Sequence, residues 1–119
     1  MKFPSRWRAL AVALSPLLFF AVLVSLESSA AIEAAQPKTH TIEIRDMQFI
    51  PASLVVNSGD TVIWKNEDVV PHTATSTVKG FDSGGIEPGK SWTYVAGKKG
   101  SFPYACTYHP TMKATLSVR

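Results

Sequence analysis

At 119 residues, with twelve Lys/Arg, nine Asp/Glu and one cysteine, the chain is long enough for one domain and excludes an internal disulfide. Its formal net charge is +3, but Lys2, Arg6, Arg8 and Glu27 all precede residue 31, and the remainder carries nine Lys/Arg against eight Asp/Glu. That near balance lacks the basic footprint of a nucleic-acid-binding protein, so no nucleic-acid partner is expected.

Lys2, Arg6 and Arg8 introduce an apolar run from Ala9 to Leu26, and Ser28-Ser29-Ala30-Ala31 follows. Basic, then apolar, then small is the order of a secretory signal peptide. Residues 1–31 are therefore expected to be a leader, and the protein to be periplasmic or otherwise exported. The run is 18 residues long, at the lower edge of a membrane span, so an uncleaved anchor is the alternative and the one route to a membrane that the sequence offers. Pro16 and the small residues after Leu26 favour cleavage. Residues 32–38 then form a short tether, and residues 39–119 the domain. A domain that small buries a modest fraction of its surface, and a metal held by the folded state adds to its stability.

Within 39–119 the dominant pattern has period two. Ile42 and Ile44 share one face of a half-buried strand, and Met47 and Phe49 continue the alternation until Pro51, which predicts core positions for both. Ser53–Val56 is a second strand, closed by the turn residues Asn57-Ser58-Gly59-Asp60. Thr61–Asn66 is rich in β-branched and aromatic residues and reads as a buried strand. A loop from Glu67 to Pro71 delivers His72, and Thr73–Val78 is again β-prone. Glu87-Pro88-Gly89-Lys90 predicts a turn with proline at the first central position and glycine, at positive φ, at the second. Ser91–Val95 alternates cleanly. Ser101–Cys106 is a strand whose Pro103 suits an edge or irregular position. Lys113–Val118 closes the chain. Seven or eight short strands with turn residues between them, and no helical period, predict an all-β sandwich or barrel.

Chemistry concentrates near the end of the chain. Cys106, His109 and Met112 form the string Cys-x2-His-x2-Met within seven residues. A lone buried cysteine is most often an inert core residue. Three donors of matching softness in one loop turn the reading toward a metal. His72, after another strand, is the best second imidazole, because His40 sits beside the tether and reads as a surface residue. Two histidines, one thiolate and a weak axial thioether are the donor set of a blue-copper electron-transfer site. A zinc site is the alternative on Cys and His alone, but thioether is a poor zinc ligand. A hydrolytic Cys-His dyad lacks an obvious third orienting group. Lys98 and Lys99 read as a solvated turn.

From about His40 to Val118 the chain resembles the cupredoxins, the small blue-copper proteins of the plastocyanin and amicyanin type. The matching strings are Phe49-Ile50-Pro51-Ala52-Ser53-Leu54, Gly59 to Asn66, Pro71-His72-Thr73, Glu87-Pro88-Gly89, and Tyr104 through Cys106 and His109 to Met112. The two-residue gap before Met112 resembles amicyanin more than plastocyanin. The resemblance implies an eight-stranded Greek-key sandwich binding one copper ion, cycling Cu(I)/Cu(II), through His72, Cys106, His109 and Met112. It implies a monomeric carrier, not an enzyme, that docks a redox donor and acceptor, for example a cytochrome or a dehydrogenase, near His109. Three departures stand out, one of them Pro103 in the strand leading to Cys106. Thr73 occupies a position that is often Asn in amicyanin-like proteins, and its hydroxyl is expected to take over part of the hydrogen bonding that holds the cysteine loop. Ala114 stands where Gly is common. A copper carrier or store using the same residues, and a β-sandwich binding module without redox activity, are the alternative functions.

Overall fold

The computed structural model describes residues 35–119. The expected leader, residues 1–31, and the first residues of the expected tether lie outside that range. The described residues form eight strands and no helix: β1 (Thr39–Arg45), β2 (Gln48–Ile50), β3 (Ser53–Val56), β4 (Thr61–Asn66), β5 (Thr75–Ser76), β6 (Ser91–Val95), β7 (Gly100–Ala105) and β8 (Lys113–Val118). One sheet runs β2-β1-β4-β6 and the other β3-β8-β7-β5. The pairs β1·β4 and β3·β8 are parallel and the rest antiparallel. The all-β sandwich of the sequence reading is the observed architecture.

Alternation explains how the sheets close on each other. Ile42 and Ile44 of β1, Val62 and Trp64 of β4, Phe102 and Tyr104 of β7, and Ala114, Leu116 and Val118 of β8 all point into one buried cluster. Burial of such side chains is the main stabilising term, at about 25 cal/mol per Å2 of apolar surface. Trp64 is wholly buried at the centre, with ring centroids of Trp92, Phe81 and Tyr104 at 5.3, 5.3 and 5.6 Å. Aromatic pairs at such distances add attraction beyond their area.

The turns obey their residues. Gly89 takes φ 76° and Lys90 N–H donates to Glu87 O at 3.0 Å, as Pro88-Gly89 predicted. Pro103 lies inside β7, not at a sheet edge. Its carbonyl accepts Thr77 N–H at 2.9 Å, so its nitrogen faces the side where β5 has already ended after Ser76 and needs no donor. Two expectations fail. Met47 is 43% exposed instead of core, because β1 stops at Arg45. Asp46 and Met47 have φ of 53° and 58°, the paired positive values of a type I′ hairpin turn. The strand expected over Thr73–Val78 shrinks to Thr75–Ser76. The N–H groups of Thr73 and Ala74 donate to Cys106 Sγ and Ser83 Oγ, so they are lost to a ladder.

At the end where β1 and β4 begin, Asp60 organises the chain entry. Its buried carboxylate accepts Lys38 N–H at 2.9 Å and Asn57 N–H at 3.0 Å, and lies 2.9 Å from His40 Nε2. His40, read from the sequence as a surface residue, is half-buried and tied to Asp60. The Lys38 N–H first, then His40 and the Asn57 N–H, hold the Asp60 carboxyl down at about 2. A carboxyl depressed in the folded state stabilises it above the unfolded pKa and loses that contribution as pH falls through the folded one. Thermal unfolding of the metal-free protein is therefore expected to show Asp60→Asn less stable than the parent at neutral pH. The gap should close as pH falls from 3.8 to about 2. A gap that stays constant over that range would contradict this role for Asp60.

Candidate metal centre

The opposite end of the sandwich gathers the candidate donors. There β4 ends at Asn66, β7 ends at Ala105 and β8 begins at Lys113, with Ala105 and Lys113 paired. The loop between β7 and β8 therefore has to turn back within seven residues. It does so through Cys106 N–H to Met112 O at 3.1 Å, His109 N–H to Cys106 O at 3.3 Å and Met112 N–H to His109 O at 2.9 Å. Cys106, His109 and Met112 are thus the corners of one small hydrogen-bonded loop. His72 comes from the other connection, locked by a two-way backbone pair with Ile86 at 3.1 and 2.7 Å.

The side chains converge. Cys106 Sγ lies 3.7 Å from His72 Nδ1 and 3.6 Å from His109 Nδ1. The three donor atoms are all within 4.8 Å of one another. Bonds of about 2.0–2.3 Å, spread about a trigonal ion, separate neighbouring donors by about 3.5–3.8 Å. The two sulfur–nitrogen spacings match that geometry. Cys106 and His72 are wholly buried, Met112 is 3% exposed and His109 is half-buried. The buried thioether in the same loop makes the set softer than zinc prefers and suits copper. All four residues singled out in the sequence therefore sit on the two loops that meet at this end of the sandwich.

The surroundings are arranged for a thiolate. Thr73 N–H points at Cys106 Sγ from 3.3 Å. The Thr73 hydroxyl oxygen accepts Thr107 N–H at 2.8 Å and lies 3.1 Å from Thr107 Oγ1, so it ties the two donor loops together as expected of it. Two further residues escaped the sequence reading. Asn66, wholly buried, donates from Nδ2 to Val70 O and Ile86 O at 2.8 and 2.9 Å, and its Oδ1 accepts Asp68 N–H at 2.9 Å. Asp68 Oδ2 lies 2.7 Å from His72 Nε2. Burial pushes the Asp68 carboxyl up. Bonds from Met47 N–H, His72 and Asp46 N–H outweigh it and hold the group below the ordinary carboxylate range. A carboxylate near His72 could have been sought, because metal-bound histidines commonly donate their second N–H to one.

Known proteins resemble this chain in sequence and in fold. The model of the cupredoxin-like domain family matches residues 16–118. Amicyanin-alpha of Methylorubrum extorquens is 25% identical over 118 residues, covering 93% of this chain and 98% of its own. The Cu(I) form of an amicyanin variant superposes with a TM-score of 0.64 at 26% identity, over 73% of this chain and 87% of the other. A copper-containing nitrite reductase from Thermus scotoductus superposes with a TM-score of 0.65 at 28% identity. That match covers 72% of this chain but 23% of the reductase, so it concerns a part of a longer chain.

Proposed function

Because the chain belongs to the cupredoxin-like domain family, as a blue copper protein of the amicyanin type, we propose that it is an exported carrier of single electrons. One copper ion would be held by His72, Cys106, His109 and Met112. The observation that carries this reading is the convergence of two imidazole Nδ1 atoms on one buried cysteine sulfur at 3.6 and 3.7 Å. Copper in such a set supplies one-electron chemistry between Cu(I) and Cu(II).

The protein's own residues make that chemistry fast by moving little. The backbone bonds across residues 106–112 and the His72–Ile86 pair would hold the donors in place through a change of charge on the ion. The Thr73 N–H supports the thiolate in either state. Because Cys106, His72 and Met112 are buried, a substrate has no open position to occupy, whereas an electron can pass through the half-buried His109 imidazole. This favours a carrier over an enzyme. The residues flanking the two loops, Val69, Pro71, Tyr108 and Pro110, are exposed and give a mainly apolar rim for a donor or acceptor protein such as a dehydrogenase or a cytochrome. The basic, apolar, small order of residues 1–31 supports export, with the mature chain acting as a monomer.

Voltammetry of the copper-loaded protein tests the carrier role. A reversible one-electron wave that survives repeated cycling is expected. Release of the metal to a Cu(I) chelator on each reduction would instead identify a copper carrier.

A further inference from the structure

The β1–β2 turn and the candidate donor His72 share one carboxylate. Asp68 Oδ1 accepts Asp46 N–H at 2.8 Å, and Oδ2 accepts Met47 N–H at 3.1 Å while lying 2.7 Å from His72 Nε2. Both turn residues have positive φ, and methionine gains nothing of its own from that conformation. Two backbone donors aimed at one side chain explain why the turn holds it. Asp68 itself is placed by Asn66, whose side chain also fixes Val70 O and Ile86 O, and Ile86 is the backbone partner of His72. The chain of contacts therefore closes: turn, Asp68, His72, Ile86, Asn66, and back to Asp68.

We infer that Asp68 is the positioning residue of the centre. Its carboxylate holds the proton of His72 on Nε2, leaves the Nδ1 lone pair facing Cys106, and anchors that imidazole to the β1–β2 turn. This rests on the reading of His72 as a metal donor, and adds to it what selects the tautomer. Both Asp68 oxygens already accept backbone N–H groups, from Asp46 and Met47, so the side chain faces the imidazole as an acceptor and the hydrogen at 2.7 Å is assigned to Nε2. Nδ1, 3.7 Å from Cys106 Sγ, is then the free donor. A negative charge behind the imidazole also strengthens its donation. That favours the more highly charged copper ion, so losing it raises the reduction potential.

The experiment uses the full chain. Nitrogen NMR of the metal-free protein is expected to show His72 protonated on Nε2 alone, with a slowly exchanging proton. In Asp68→Asn the preference weakens. On loading, Asp68→Asn is expected to bind Cu(II) about 10–100-fold more weakly, the usual loss on removing such a partner, and to have a raised potential. Glu67→Gln removes an equal charge one residue away. Its carboxylate meets Lys65 at 3.5 Å and Arg45 at 3.9 Å, so its loss is expected to move neither property appreciably. A His72 protonated on Nδ1 in the parent protein would overturn the inference. So would equal shifts in Glu67→Gln and Asp68→Asn, which reduce the effect to bulk charge. The tautomer is read without metal, so it decides the role of Asp68 even where copper binding fails, and that failure would fall on the proposed function alone.

Discussion

Cys106→Ser is expected to bind no copper in a blue form. The intense visible band and the reversible one-electron wave should both vanish, while the sandwich stays folded. The thiolate is the single anionic donor among the four candidates, and the band arises from charge moving between that sulfur and copper. A serine hydroxyl keeps its proton near neutral pH and is a harder donor, so neither charge nor softness is replaced. The fold has little reason to respond. Cys106 is buried as one small side chain, and a serine oxygen can still accept the Thr73 N–H that now points at sulfur from 3.3 Å. The absorption spectrum after Cu(II) addition, read beside far-ultraviolet circular dichroism, checks both halves. A blue Cys106→Ser protein would remove the thiolate from the centre.

Trp64→Ala is expected to bring the largest loss of stability of any single truncation in the core. The indole is wholly buried and packs against Phe81, Trp92 and Tyr104. Removing such a side chain costs about 3–5 kcal/mol, the sum of lost transfer energy and the cavity left behind. Against a total of about 5–15 kcal/mol for ordinary domains, the metal-free variant stands near the edge of unfolding. At about 4–8 °C per kcal/mol for a domain of this size, its midpoint should fall by on the order of 20 °C. Trp64→Phe should cost much less. It keeps an aromatic ring at the centre, in reach of Phe81, Trp92 and Tyr104. Thermal unfolding of the metal-free proteins measures both. An alanine variant within about 1 kcal/mol of the parent would show that the core collapses around the gap.

The parts of this molecule that were legible in the sequence are those decided by local pattern. Ile42, Ile44, Val62 and Trp64 announce their strands because every second residue must be apolar to reach one core. Pro88-Gly89 announces its turn because few residues besides glycine accept the second position. Cys106, His109 and Met112 announce a loop of donors because their spacing is short enough to be read directly. What escaped depends on where loops travel. Asp68 and Asn66 matter through partners brought together by the fold, such as Met47 and Ile86. Met47 looked like core because the alternation runs on through the hairpin. Nothing local marked Asp46-Met47 as a turn, since its two N–H groups are satisfied by a carboxylate more than twenty positions away. Thr73 and Ala74 looked like strand because their side chains suit one, while their N–H groups go to a cysteine sulfur and a serine hydroxyl.

The most direct test of a copper centre at His72, Cys106, His109 and Met112 is a visible absorption titration of the metal-free protein with Cu(II). An intense blue band is expected that saturates at one ion per chain, disappears on reduction and returns on oxidation. A solution that stays colourless, with the Cys106 thiol still free to react after copper is added, would contradict it.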